Sequence, residues 1–200
     1  MLPVGTRYAG LWRRLAALLL DFVILSPINA FGMWGMFRVR LFQLYDFLPV
    51  LLLSLFYEVH LVRRFGGTAG KRLMGLRIMT IDGNPVGYRH ALLRHAPLLL
   101  VSQAVSIGMI LASLQISDSQ YHALTWRDWS ERLMALGPSW LQPVQHVQTA
   151  WMWSEFLVLL TNRKKRALHD FIAGTVVIDE SSNAPLQPAT VRAEAERPGR

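Results

Sequence analysis

Residues 15–37, LAALLLDFVILSPINAFGMWGMF, decide the fold, because this apolar run is long enough to cross a lipid bilayer. At about 1.5 Å per residue, a helix over the run reaches about 34 Å, against a hydrocarbon core of about 30 Å. Its one charged residue is Asp21. Pro27 would break a soluble helix, but a membrane helix tolerates it as a kink. The run therefore predicts a transmembrane helix.

Three further apolar runs follow, at residues 41–62, 96–116 and 146–161. The run 96–116 carries no charge and is the clearest of them. The run 41–62 holds Asp46 and Glu58 toward its ends, and the run 146–161 holds Glu155. The run 146–161 is the least apolar, but a basic cluster follows it directly, as is typical of the end of a membrane helix.

Composition supports a membrane protein and excludes several other classes. Of the 200 residues, 52% are hydrophobic and 17% are charged, yet the net charge is +8. Soluble chains average about 25% charged residues. Such an apolar chain is not intrinsically disordered, and its cations are too few and too segregated to indicate nucleic-acid binding. The absence of cysteine excludes disulfides, thiolate metal sites and cysteine nucleophiles.

The distribution of Lys and Arg predicts the topology. Counted between the four runs in chain order, the segments carry three, two, seven, two and seven of these residues. Cytoplasmic loops carry the excess of positive charge, so both termini and the second loop are expected in the cytoplasm. A model with three spans would leave the last basic cluster on the outer side. The sequence therefore predicts an all-α membrane protein whose main element is a four-helix transmembrane bundle.

The second loop is expected to form a small cytoplasmic β-hairpin. Residues 76–81 are β-like, Asp82-Gly83-Asn84-Pro85 is a strong turn signal, and residues 86–88 are predicted to return as the second strand. Residues 174–178 are also β-like and are expected on the same side of the membrane. They could add a strand, which matters because a lone hairpin is marginally stable.

The third loop and the tail give weaker signals. Trp126, Trp129, Leu133 and Leu136 recur at helical spacing with charged residues between them, which predicts an amphipathic outer-loop helix. Such a helix could lie on the outer leaflet or pack as a cap on the bundle, and both remain open. Residues 180–200 are rich in Pro, Ala and charge and predict a disordered cytoplasmic tail, which leaves residues 1–179 as the membrane domain.

Three acids suggest ion handling. Asp21, Glu58 and Glu155 lie about 10, 8 and 12 Å from the cytoplasmic side of their helices, if each residue adds about 1.5 Å. Carboxylates grouped at one depth share protons or hold a cation, so this layer predicts a possible ion relay. The alternative is that each acid pairs with a neighbouring Arg, His60 or Lys71 and fixes the packing. The sequence leaves both hypotheses open.

The remaining polar motifs do not predict an enzyme. His169 and Asp170 are adjacent, so on a helix they point apart, and Asp170 is expected to pair with Arg14 or another basic residue. The stretch 66–72, GGTAGKR, lacks two residues that a phosphate-binding loop requires, because Phe65 and Arg72 occupy their places. No enzymatic activity, metal site or cofactor is predicted.

Three stretches together resemble the RDD family of bacterial membrane proteins. They are YAGLWRRLAA at residues 8–17, continuing to Asp21; GGTAGKRLMGLR at 66–77; and RALHD at 166–170, leading to GTVV at 174–177. The resemblance covers about residues 8–179. It implies that Arg14, Asp21 and Asp170 are the arginine and two aspartates for which the family is named. The other residues of the matching motifs are Gly66, Gly67, Thr68, Gly70, Lys71, Arg72 and His169.

The resemblance implies a multi-pass protein of the bacterial inner membrane, but it leaves two functions open. The first is transport of a small cation or another ligand, since some members are associated with sodium–proton exchange. A four-span transporter is expected to form a homo-oligomer. The second is a non-transporting scaffold or assembly partner with a basic cytoplasmic face, which could also contact anionic lipid headgroups. A transporter should have acids lining an interior cavity, whereas a scaffold should have them paired and closed.

Overall fold

The computed structural model describes residues 6–162 and 164–182, and the side chains of Trp126, Phe156 and Ser182 are not part of that description. The helices in this part of the chain are α1 Leu11–Arg38, α2 Phe42–Leu55, α3 Leu61–Phe65, α4 Ala69–Leu73, α5 Tyr88–Ser113, α6 Asp118–His122, α7 Trp126–Leu136, α8 Leu141–Thr161 and α9 Leu168–Ala173. A π-helical turn, Phe56–His60, joins α2 to α3. The strands are β1 Leu76–Thr80 and β2 Thr175–Asp179, and a 3-10 turn, Glu180–Ser182, follows β2.

Three helical segments in the described residues are long and apolar enough to cross a membrane. They are α1, the composite segment Phe42–Leu73 and α5. Pro27 lies inside α1 without ending it. The large apolar side chains on these helices are widely exposed, as expected of surfaces that face lipid. The first three predicted spans therefore correspond to these segments.

The fourth predicted span lies in α8, and the count of four membrane helices is not confirmed. At 21 residues, α8 is about 31 Å long, which is enough to cross. Its glutamines lower its hydropathy, so α8 is not among the three apolar segments. The helix nevertheless packs along α5. Leu141, at its start, contacts Gly108, and the Gln148 side chain donates a hydrogen bond of 2.9 Å to the Ser102 hydroxyl.

The two strands form an antiparallel sheet in which Leu76 lies opposite Asp179 and Thr80 lies opposite Thr175. The predicted pairing of the two β-like runs is therefore confirmed. The N-terminal residues 7–9 run along the other edge of β2, where the Ala9 N–H donates to the Val177 carbonyl at 2.9 Å. Residues 7–9, α4, β1, α9 and β2 form one layer at one end of the bundle, which we call the platform.

The predicted return of residues 86–88 as the second strand of a hairpin is wrong. Residues 86–88 do not form a second strand, because Pro85 has no N–H to extend the ladder and makes one isolated bridge to Met79. The helix α5 already begins at Tyr88. Residues 180–182 form an ordered turn, because Glu180 pairs with two platform arginines. The rest of the predicted tail, residues 183–200, lies outside the described residues.

The buried core has one cluster at each end of the bundle. The platform-end cluster contains Ala9, Ala17, Val59, Val62, Leu76, Ile78, Val86, Ala91 and Val177. The opposite cluster contains Met109, Ala112, Ile116, Tyr121, Leu133 and Leu141. Through this cluster α6 and α7 pack against the ends of α5 and α8. Of the two predicted positions of the outer-loop helix, α7 therefore takes that of a cap packed on the bundle. The Tyr121 hydroxyl secures this cap by donating to the Met36 carbonyl at 2.5 Å.

Candidate functional site

The first signature aspartate, Asp21, is buried in α1 and accepts three hydrogen bonds from uncharged donors. Its Oδ1 accepts from the Tyr57 hydroxyl at 2.5 Å and from the Gly70 backbone N–H at 2.6 Å. Its Oδ2 accepts from the Thr68 hydroxyl at 2.6 Å. The side chain therefore joins α1 to the π-helical turn and to α4.

The glycine-rich motif brings these donors to Asp21. The helix α3 ends at Phe65 and is capped by Gly66, whose φ of +77° is rarely adopted by residues with a side chain. The chain then turns so that Thr68 and Gly70, at the start of α4, press against α1. A Cβ atom on Gly70 would lie 2.3 Å from the Ala17 carbonyl oxygen and 2.8 Å from the carboxyl carbon of Asp21. Only glycine fits at position 70, because α4 packs so closely against α1 there.

Hydrogen bonding explains why the carboxylate is tolerated inside a membrane helix. An aspartate at the centre of a span costs about 2.5–3.5 kcal/mol on insertion scales. A hydrogen bond to a charged group contributes about 1.5–3 kcal/mol, so three of them exceed that cost. Asp21 thus needs neither a bound cation nor an ion pair to remain buried.

The other residues of the motif support this arrangement. The Lys71 ammonium donates to the Thr68 hydroxyl at 3.2 Å, so it reaches Asp21 only through that hydroxyl. Gly67 is buried beside the side chains of Lys71 and Arg72. Arg72 forms an ion pair of 2.7 Å with Glu180 after β2. The motif is therefore a structural connection between α1, the sheet and the chain segment after it.

The second signature aspartate, Asp170, is completely buried between two arginines. Arg14 donates to its Oδ2 at 2.8 Å, and Arg94 donates to its Oδ1. The Thr175 hydroxyl also donates to Oδ1, at 3.0 Å, and the Ala167 N–H donates to Oδ2, at 3.0 Å. The predicted pair of Arg14 and Asp170 is confirmed. The sequence analysis does not predict Arg94 as a second partner of Asp170. The feature that could have indicated it is its position, since it is a cation in a helix just before the apolar run 96–116.

The charge of Asp170 is fixed by its neighbours. Burial would raise the pKa of this carboxyl, but the guanidinium groups of Arg94 and Arg14 hold that pKa well below its usual range. The carboxylate is therefore ionised at neutral pH. Arg14 also donates to the carbonyl oxygens of Lys165, at 2.6 Å, and Ala9, at 3.3 Å. One buried cluster thus ties α1, α5, α9 and β2 together.

A second ion pair lies at the entry to the platform. Arg13 donates to the Asp179 carboxylate at 2.7 Å and to the Ser181 hydroxyl at 2.8 Å. It also donates to the Met74 carbonyl. Consecutive arginines at the start of α1 therefore reach two different acids of the C-terminal segment. Charge pairing connects the first and last elements of the described chain.

The sequence model of the RDD family matches residues 8–174. The chain belongs to the RDD family. None of the curated proteins compared with this RDD chain matches it significantly. Family membership and the apolar helices together make it a membrane protein. The matched region includes both buried aspartates and the glycine-rich motif between them.

The three acids of the predicted ion relay have separate surroundings in this RDD protein. Asp21 has its three neutral donors, and Glu155 contacts His169, whose Nδ1 lies 2.5 Å from its Oε2. Glu58 makes no hydrogen bond or ion pair in the part of the chain that the structure describes. Within the described residues, no hydrogen bond joins any two of these three acids. No group of acids and histidines in that part of the chain is arranged to hold a metal ion. The relay stays a prediction.

Proposed function

We propose that this RDD protein is a non-transporting scaffold of the bacterial inner membrane, with both termini and the platform in the cytoplasm. The observation that carries the proposal is the closure of both signature aspartates by partners from the same chain. Asp21 has its carboxylate oxygens occupied by hydroxyl and backbone donors, and Asp170 is enclosed by two arginines. These are the contacts expected of acids that hold a structure together.

Two grooves on the described part of the molecule give further support. One groove, of about 270 Å³, lies between α2 and α5 and is lined by Leu44, Phe47, Ile107, Ile110 and Leu111. A second lies on α8 and is lined by Ala150, Trp153, Ser154, Leu157 and Leu160. Both are apolar surface features with no acid in their lining. A transport pathway for a cation should instead expose carboxylate oxygens to a wet cavity.

The proposed orientation rests on charge and on the position of α8. The platform end carries most of the Lys and Arg residues, which favours the cytoplasmic side. The chain leaves the platform in α5 and must return to it, because β2 pairs with β1. The helix α8 makes that return beside α5, which supports four crossings. As a scaffold, the protein is proposed to have no enzymatic activity and no cofactor.

Cation handling is the second candidate, and Glu58 is the observation that favours it. This acid lies on the π-helical turn within the second apolar segment, and its carboxylate makes no hydrogen bond or ion pair in the described residues. Single π-helical turns within α-helices are frequent at functional sites. An acid without a partner inside a membrane could take up and release a proton.

The two candidates are separated by ion flux in proteoliposomes of the purified full chain. Under the scaffold proposal, a sodium or proton gradient gives no flux above that of empty liposomes. Under the transport candidate, flux is present and is lost in Glu58→Gln or Asp21→Asn, while the control Asp82→Asn keeps it. Asp82 is exposed in the turn after β1, and its side chain makes no hydrogen bond or ion pair in the described residues. Its substitution therefore controls for the loss of one negative charge. Flux that follows this pattern would overturn the scaffold proposal.

A further inference from the structure

We propose that the corner where α3 meets α5 binds the phosphate of an anionic phospholipid headgroup. The corner consists of His60, Arg63, Arg64, Tyr88 and Arg89. It lies outside both aspartate sites, and the proposal does not depend on whether the protein transports. The three arginines supply the positive charge, and Tyr88 positions one of them.

A row of aromatic contacts gives the corner its shape. The guanidinium of Arg63 lies over the Tyr88 ring, 5.8 Å from its centroid. The Tyr88 hydroxyl lies 3.1 Å from His60 Nδ1, and the His60 ring stacks on Phe56 with 5.4 Å between centroids. Cation–π stacking holds a guanidinium in one orientation while leaving its N–H donors available. Arg63 is therefore preorganised to meet an oxyanion.

The charge at the corner is not neutralised by the protein. Arg63, Arg64 and Arg89 are exposed, and none of them makes an ion pair or a hydrogen bond within the described residues. Five other arginines differ, because each of them contacts a carboxylate: Arg13, Arg14, Arg72, Arg77 and Arg94. The fold uses those five internally and leaves the three at the corner for an external anion.

The surroundings favour a lipid over a free phosphate ion. Phe56 and Phe65 are more than half exposed beside the arginines, and Leu92 and Leu93 are exposed one turn further along α5. Tyrosines are enriched at the level of the headgroups, where apolar side chains end and cations begin. A phospholipid would place its phosphate on the guanidinium groups and its acyl chains against these apolar side chains. Arginine suits this ligand, because its planar donors match phosphate oxygens in pairs.

The test measures the binding of dioleoyl-phosphatidylglycerol to the full chain in detergent by titration in native mass spectrometry. The double variant Arg63→Gln/Arg89→Gln should weaken the apparent Kd by about 30-fold, as expected for two cations near a headgroup. The matched control is Arg127→Gln/Arg132→Gln, which removes two exposed arginines at α7 that make no ion pair in the described part of the chain. The control should bind the lipid like the wild type.

Further arms keep the proposal falsifiable. The variant Arg63→Lys/Arg89→Lys keeps the charge and should recover part of the affinity, which separates a lost charge from a lost fold. Dioleoyl-phosphatidylcholine should bind weakly to all variants. Equal affinity of the wild type and the glutamine variant for phosphatidylglycerol would overturn the proposal, and so would equal weakening in the control. Displacement of the lipid by millimolar inorganic phosphate would show that a free anion is the ligand.

Discussion

The carboxylate of Asp170 meets two guanidinium groups, whereas that of Asp21 meets two hydroxyl groups and one backbone N–H. This difference decides what each residue contributes. Charge pairing at Asp170 stabilises the cations as well as the acid, because Arg94 is also buried. Hydrogen bonding at Asp21 stabilises only the acid and the position of α4. Loss of the charge should therefore cost more at Asp170.

Substitution of Asp170 by Asn is expected to lower the free energy of unfolding by about 3–5 kcal/mol, because it leaves the buried Arg94 and the largely buried Arg14 without their anion. Thermal unfolding in detergent should show an earlier transition for this variant. The control Asp82→Asn removes an exposed acid and should unfold like the wild type. Equal stability of Asp170→Asn and the wild type would contradict the proposed structural role.

At the scale of elements, the contact between α1 and α4 depends on the missing side chain of Gly70. Gly70→Ala places a methyl group 2.3 Å from the Ala17 carbonyl oxygen, so α4 must move away from Asp21. Overpacking of this kind costs about 1–3 kcal/mol. The control Gly10→Ala adds the same atom where nothing lies within 4 Å. Denaturation in detergent should separate the two variants, and equal unfolding would show that α4 yields without cost.

The junction of α9 with α8 should depend on pH through His169. Burial lowers the pKa of this imidazole, and Arg94 acts in the same direction, against the opposing effects of Asp170 and Glu155. The unfolded chain therefore binds the proton more readily than the folded chain, so stability is full above about pH 6.5 and falls as the pH drops below that value. His169→Gln should flatten the dependence between pH 7 and 5. An unchanged slope, measured from melting temperatures, would refute this prediction.

The sequence predicts most of the helices and both strands, but not all of the contacts between them. The apolar runs predicted the helices, because burial in lipid needs long uninterrupted segments. The pairing of β1 with β2 followed from their shared side of the membrane. Depth along the helices favours charged partners for Asp21, yet Tyr57, next to Glu58 in the chain, supplies a neutral donor. Arg94 was missed because contacts across 76 residues depend on how helices pack, which spacing does not reveal.

At the scale of the whole molecule, the proposed topology of four crossings predicts where each loop lies. Reporter fusions after Arg40 and Gln120 should report the outer side, and fusions after Asp82 and Glu180 should report the cytoplasm. The reason is that α8 returns the chain to the platform and that the basic segments stay inside. Enzymatic reporters active on one side only provide the measurement. An outer-side signal from the fusion after Glu180 would rule out the four-crossing topology.

The ion pair of Arg14 with Asp170 joins residues 156 positions apart, and this separation has a consequence for biosynthesis. Arg14 leaves the ribosomal exit tunnel early, and the first helices enter the membrane long before Asp170 has been translated. During that interval Arg14 and Arg94 have no anion, and β1 has no strand beside it. The chain must therefore be made as far as Asp170 before Arg14 reaches its final position. A chain that stops short of Asp170 is therefore expected to keep two unpaired cations and to lack the contacts that join α1 and α5 to the platform.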